Sequence, residues 1–592
     1  MSESLDKIGD MDNKCKHCGA YKFKKETPII CCSSGKIQLP PFPEPPAEIY
    51  ELWTEDTRKA NLFRSNSRTF NNAICLSSIM VQEKTVDGYS PNVIFQGKVT
   101  HLMGPLHHET GSVPYFAQLY VLDPGDETTR RFNNMNVSRR VKTPWEFDMM
   151  KELLDIIQGV VHQHNPFVRD IRQLIEMPPE QLQSGKIVVS AKAQPRNARP
   201  RVYNHQVNLD ELSIVKNEQR HDFVIHLREG GLRIIHDLNP KAMPLHFTLL
   251  FIHGTPGWGI DLKQNNNSNK RLSAREFFAF HMHTRNTRSD YIFSAGRLFQ
   301  EWILNSWITV ENQRLKYLYH NQQDLRADSY KNVKDFVDNR HRADSLFDDV
   351  QENGIGRQVL PSSFIGGFRW FQKMLQDAIA IVRFFYKPTL FVTLTCNPKW
   401  PEITSQLKPG QRVQDRPDLV ARVFKLKKDQ LMNDLLKGNI FGKIVAYLWV
   451  IEFQKRGLPH VHMLLILDKE DVPKTANEVD KMVCAELPPN PSEEGISQEE
   501  KAKRQPLWDI VVNTMIHGPC NADHCIKKGV CTKGFPKAFQ KKTVLDEERS
   551  YPIYQRRSTQ DGGQTGKKEM MINGKKPFIT LTIVGWYLTI HI

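Results

Sequence analysis

The run Glu452-Phe453-Gln454-Lys455-Arg456-Gly457-Leu458-Pro459-His460-Val461-His462-Met463-Leu464-Leu465 sets two histidines around one apolar residue. On a β-strand, residues two apart share a face, so His460 and His462 point together while Val461 points to the core. The preceding run Ile444-Val445-Ala446-Tyr447-Leu448-Trp449-Val450-Ile451 reads as a buried strand. Gly457 and Pro459 turn the chain before a second strand, Val461 to Leu467. Strand, turn and strand thus hold both imidazoles at one seam. Glu452 and Gln454 share a face of the first strand and bring oxygen ligands close. Two imidazoles with oxygen ligands suit Mg²⁺ or Mn²⁺ better than a closed structural zinc site. Such a site, with open positions, polarises a phosphate.

A second strand supports this. Phe391-Val392-Thr393-Leu394-Thr395-Cys396-Asn397-Pro398 alternates apolar and small polar residues and then stops. Thr393, Thr395 and Asn397 share a face, and a neighbouring place in one sheet sets that face beside the histidines. A helix from Phe364 to Tyr386 leads into it. The fold expected is α+β and multidomain. A central antiparallel sheet flanked by helices carries the His-hydrophobic-His motif, and a small Cys-rich module stands at the N-terminus.

That module spans residues 1–45, with Cys15-Lys16-His17-Cys18 followed by Cys31-Cys32. Its spacing is that of a zinc ribbon: Cys15, Cys18 and Cys31 are ligands, and the fourth is Cys32 or His17. A Pro-rich stretch, Pro40 to Pro46, reads as a stiff extended linker. Residues 47–190 read as a mixed α/β region, with a helix from Trp145 to Val161 and a strand from Asn92 to Val99. Ala191 to Arg201 is a basic linker. Residues 202–355 form a mixed region with long helices, such as Arg297 to Leu318. Residues 360–592 hold the histidine motif. Within them, Lys469 to Lys503, rich in Glu, Pro and Ser, reads as an exposed insertion. A second cluster, His517, Cys520, His524, Cys525 and Cys531, is spaced more loosely; His517, Cys520, Cys525 and Cys531 are candidates for a second zinc.

Composition agrees with a polyanionic partner without naming one. The chain of 592 residues carries 81 Lys and Arg against 66 Asp and Glu, a formal charge of +15. No apolar run is long enough for a transmembrane helix, and Met1 to Lys14 is too polar for a signal peptide. The ten cysteines, clustered in a chain without a secretion signal, favour metal sites over disulfides. Gly562-Gly563-Gln564-Thr565-Gly566-Lys567-Lys568 is not a P-loop, since its spacing is short and Lys568 replaces the Mg²⁺-binding hydroxyl.

The segments "FVTLTCNPKWPEI" and "EFQKRGLPHVHMLLIL" resemble motifs one and two of the Rep region of Helitron transposon proteins, of the His-hydrophobic-His superfamily of single-strand DNA nickases. "RLSAREFFAFHMHTR", "AGRLFQEWILNSWITVENQRLKYLYHNQQDLRADSY" and "LPSSFIGGFRWFQKMLQDAIAIVRFFYKPTLFVTLTCNP" resemble the Helitron-like N-terminal domain in order and spacing, starting near residue 271. "FQGKVTHLMGPLHHETGSVPYFAQLYVLDP" and the Cys-rich block also look like family segments. The resemblance implies transesterification in rolling-circle transposition. A metal held by His460 and His462 polarises the scissile phosphate, and a tyrosine attacks it. It further implies single-stranded DNA and a full-length transposon protein as partners, no membrane, and a nuclear location. Lys399, Lys455 and Arg456 are the candidate DNA contacts.

One feature departs from the family. No Tyr-x-x-x-Tyr pattern follows the histidines, and no helicase is seen. Tyr551 and Tyr554 are the only candidate nucleophiles, and Pro552 between them opposes a helix. The chain reads as a Rep region that stops before its nucleophile, inactive alone. The alternative is a non-catalytic, single-strand-binding remnant.

Overall fold

A computed structural model of the protein describes residues 8–83, 93, 95–103, 113–122, 124–137, 141, 143–175, 186–189, 212–213, 223–226, 233–235, 239–265, 268–322, 360–454, 457–512, 526–527, 529–532, 534–535, 537–545, 552–569, 578–582 and 589–590. The fold is α+β, with helices mixed among small antiparallel sheets of two or three strands. Two compact units are present. The first comprises Met1–Ile379, Thr393–Gln430 and Trp449–His462; the second, Ala380–Val392, Leu431–Leu448 and Met463–Ile592.

In the first unit, the Cys-rich stretch opens with a two-residue hairpin, β1 (Asn13–Lys14) and β2 (Tyr21–Lys22). Three short helices follow: α1 (Ala47–Thr54), α2 (Arg58–Ser65) and α3 (Ser67–Ile74). The long α4 (Pro144–His164) starts where the sequence signals it. Thr143 and Glu146 cap each other's backbone and Pro144 stands at the first turn. The capping box of Ser273 and Glu276 likewise opens α5 (Ala274–His281), and α6 (Arg297–His320) follows. Their apolar faces build one core with Trp53, Phe63, Phe251, Phe299 and Trp302, and Cys15, Cys31 and Cys32 belong to it. The Pro-rich stretch is extended but is no free linker. Phe42 is buried, stacks on His281 at 3.9 Å and meets Phe251 edge-on at 5.0 Å. One large apolar side chain among prolines is enough to anchor it.

The histidine motif lies on a three-stranded sheet. After α7 (Phe368–Phe385) come β3 (Leu390–Thr395), α8 (Pro417–Lys437), β4 (Ile444–Phe453) and β5 (Pro459–Leu467), with strand order β4-β5-β3. Thr389 N–H donates to the Leu465 carbonyl and Cys396 N–H to that of Pro459, so β3 and β5 are antiparallel. Gln454 N–H donates to the Leu458 carbonyl, and Gly457, at φ +76°, makes the turn between β4 and β5. Along β5, Val461, Met463 and Leu465 are buried while His460, His462 and Leu464 are half-buried. The strand expected to be buried, β4, is instead an edge, with Tyr447, Trp449, Val450, Ile451 and Phe453 exposed. Its apolar run speaks for a strand, but burial depends on neighbours the run cannot specify.

In the second unit, the segment read as an exposed insertion is folded. It forms α9 (Ala476–Met482), capped by Thr475, and α10 (Gln498–Ile510), capped by Ser497. Val479, Val483, Ala485 and Leu487 are buried, and Glu486 accepts hydrogen bonds from the Arg557 guanidinium at 2.7 and 2.9 Å. A few apolar side chains decide the packing here, whatever the mean composition.

One long-range ion pair anchors the Cys-rich stretch to α8. The Arg422 guanidinium donates to both carboxylate oxygens of Glu26 at 2.7 Å and to the Tyr21 carbonyl at 3.2 Å. Burial alone would raise the Glu26 carboxyl, but Arg422 outweighs it and holds it below 4.5. The stability Glu26 contributes is therefore present above pH 4.5 and lost as pH falls through its lower folded value. Arg422→Ala, which strands a buried carboxylate, is expected to cost about 3 kcal/mol in urea unfolding. A variant as stable as the parent removes the anchor.

Candidate metal centres

Two clusters gather metal-binding side chains, both in the first unit. The first is built from the bottom of the β1–β2 hairpin. Cys15 N–H donates to the Ala20 carbonyl and Gly19 N–H to that of Cys15, with Gly19 at φ +73°. This tight turn aims Cys15 and Cys18 the same way. The second turn holds Ser33, Ser34 and Gly35 at positive φ, and Gly35 N–H points at Cys32 Sγ, 3.3 Å away. A side chain on Gly35 would strike His17, 2.7 Å from its Nδ1.

All four sulfurs, of Cys15, Cys18, Cys31 and Cys32, lie within 4.8 Å of one another. Cys15 Sγ is 3.7 Å from Cys32 Sγ, and Cys31 Sγ is 3.9 Å from it. A tetrahedral zinc with bonds of about 2.3 Å sets its sulfurs about 3.8 Å apart, so these thiols can hold one. Of the two candidates for the fourth position, Cys32 is in the cluster; His17 is exposed beside Gly35. Burial opposes ionisation of Cys15, yet the N–H groups of Cys18 and His17 and the thiols of Cys31 and Cys32 outweigh it, bringing the thiol down to about 6. Burial pushes Cys32 up to about 11 and Cys31 higher. Arg285 braces the turn, donating to the Cys18 carbonyl at 3.0 Å.

The second cluster is Glu452, His460 and His462. The two imidazoles meet at right angles with their Nε2 atoms 2.8 Å apart, and Glu452 Oε2 lies 3.7 Å from His462 Nε2. Ring nitrogens bound at about 2.1 Å in adjacent positions of one cation lie about 3 Å apart, so the pair fits a shared divalent ion. Burial and the neighbouring His462 hold His460 below the ordinary 6.5, which keeps its ring neutral and able to ligate at neutral pH. The opposite ring nitrogens face side chains. His462 Nδ1 is 3.0 Å from Thr393 Oγ1, and His460 Nδ1 is 3.4 Å from Thr395 Oγ1 and 3.3 Å from the Gln454 amide. Gln454 thus touches the far side of His460 from Glu452.

Residues 277–465 match the family described as the Helitron helicase-like domain at the N-terminus. The matched segment contains β3, α8, β4 and most of β5 with every residue of the histidine cluster; the four-cysteine cluster precedes it. No curated protein matches the chain. Among the described residues no helix is long and apolar enough to cross a membrane.

Of the other site residues expected from sequence, Lys399 is exposed after β3, while Lys455 and Arg456 lie outside the described residues. So do His517, Cys520, His524 and Cys525. Cys531 is described, buried in a short hairpin. Tyr551 is outside as well. Tyr554 is half-buried in the second unit, its phenol pushed above 10.0 by burial. Arg285, Arg422 and Glu26 were not foreseen; Arg285 and Cys18 are 267 positions apart, and nothing in the sequence links them.

Proposed function

We propose that the Helitron-like segment is a Rep-type module that holds single-stranded DNA at a divalent-metal site for nicking and strand transfer in rolling-circle transposition in the nucleus. The observation that carries this is the convergence of His460 Nε2, His462 Nε2 and Glu452 on one point at an exposed sheet face. Bound Mg²⁺ or Mn²⁺ supplies a Lewis acid for a phosphate oxygen. His460 and His462 hold that ion, Glu452 balances its charge, and Lys399 borders the strand's path. An unpaired strand is required, since its phosphate must fit the metal site. The four cysteines bind zinc and keep the N-terminal stretch in the core.

The half-buried Tyr554, with its raised pKa and its place outside any helix, favours a second reading in which the chain binds the strand without cutting it.

The nicking reading requires metal at the histidines. Mn²⁺ titrated into the full chain and followed by electron paramagnetic resonance is expected to bind at one site, weakened at least tenfold in His460→Ala. Anisotropy of a labelled oligonucleotide should rise with Mn²⁺ and fall as salt displaces the phosphate contacts. Equal Mn²⁺ affinity in the parent and His460→Ala would end the metal proposal.

A further inference from the structure

We propose that Thr393 and Thr395 are positioning residues that set the tautomers of His462 and His460. This rests on the reading of the two histidines as metal ligands. An imidazole gives a metal the lone pair of one nitrogen only if its proton sits on the other. Here the nitrogens that converge are both Nε2, so Nδ1 must carry the proton in each ring. A proton on Nδ1 needs an acceptor, and each ring has a threonine hydroxyl there, at 3.0 Å for His462 and 3.4 Å for His460.

The pairing follows from register. β3 and β5 are antiparallel, and the two histidines and the two threonines are each spaced by two, so each histidine finds its own threonine across the strands. Thr393 faces His462 and Thr395 faces His460 on the same sheet face.

A hydroxyl suits this place better than a carboxylate or carbonyl. It accepts from Nδ1–H, but it can also turn and donate to a bare Nδ1. The metal-free site needs that freedom. Two Nε2 atoms 2.8 Å apart cannot both present lone pairs, so one ring must donate its Nε2–H to the other. His462, with the shorter threonine contact, is the ring that keeps its proton on Nδ1. His460 is the ring that switches: Thr395, at 3.4 Å, can donate to its Nδ1 when the site is empty and accept from it when metal binds, while the Gln454 amide nitrogen, at 3.3 Å, donates to the bare Nδ1 of the empty site. The threonines thereby let one side-chain arrangement serve the empty and the loaded site without moving the strands.

The test compares Thr393→Val, which keeps the β-branched shape and loses the hydroxyl, with Thr393→Ser, which restores it; Thr393→Ala stands in should the valine variant misfold. Nitrogen-15 resonances of labelled histidine in the metal-free full chain report the tautomer, with His462 assigned by its loss in His462→Gln. The parent and Thr393→Ser should show the His462 proton on Nδ1, and Thr393→Val should show it on Nε2. Mn²⁺ affinity should fall roughly 10–100-fold in Thr393→Val and return in Thr393→Ser. An unchanged His462 tautomer in Thr393→Val overturns the proposal, whatever the metal affinity. A parent chain that binds no Mn²⁺ yet shows the tautomer change in Thr393→Val overturns the metal reading alone and leaves the threonine assignment standing.

Discussion

Cys31→Ser is expected to strip zinc from the chain and lower its thermal midpoint by roughly 3–5 °C. Structural zinc bound by four thiolates contributes folding free energy directly, because the site does not exist in the unfolded chain. Losing one of four ligands forfeits much of it, several kcal/mol at least, and each 3 kcal/mol moves a unit of this size by about 3 °C. The damage is not confined to a dangling finger. Cys15, Cys31 and Cys32 are part of the same core as Trp53, Phe251 and Trp302, and Arg422 and Arg285 fasten the turns around them. Cys75→Ser is the control: Cys75 is equally buried and stands outside the cluster, so it should cost a little packing and no zinc. Zinc measured by mass spectrometry and the midpoint by calorimetry separate the two effects. If Cys31→Ser and Cys75→Ser behave alike, with zinc content unchanged, the thiols are a packed core and not a metal site.

What the sequence revealed depended on how local the determinant was. The shared face of His460 and His462 follows from strand period alone, as does the matching face of Thr393 and Thr395, and the structure places them against each other. The four cysteines were legible for the same reason, since each pair sits in one tight turn. The choice between Cys32 and His17 was not. It depends on Ser33, Ser34 and Gly35 taking positive φ, and of these three only Gly35 announces that conformation. Pairings between distant residues were invisible. Glu26 and Arg422 are 396 positions apart, and each alone reads as an ordinary surface charge. Averages misled in both directions. The polar segment after Lys469 packs around Val483 and Leu487, while the apolar β4 lies at an edge with Trp449 and Phe453 exposed. Hydropathy gives a segment's tendency, but the number of neighbours it finds is a property of the whole fold.

The full chain, mixed with a labelled single-stranded oligonucleotide and Mn²⁺, is expected to leave no covalent protein–DNA adduct on a denaturing gel. In the reaction that would make one, a phenolic oxygen bonds to phosphorus, the bond to the 3′-oxygen breaks, and that oxygen takes up a proton. The attacking oxygen must stand about 3 Å from the phosphate before this can happen. After His462 the sequence offers Tyr551, Tyr554 and Tyr587. Tyr554 follows the bridge of Val544 with Ile553 and precedes that of Gln540 with Arg556, in extended chain and not on a helix. Burial raises its phenol, which makes the phenolate scarcer at neutral pH. A metal site with no phenol placed at the phosphate loses on the order of 10⁶ in rate, so in that case binding survives while cleavage falls below detection. An adduct that appears with the parent and disappears in Tyr554→Phe or Tyr551→Phe would show that the nucleophile is present after all. An adduct lost in His460→Ala but kept in both tyrosine variants would place the attack on another residue. The chain would then be a complete nickase, and the binding-only reading would be excluded.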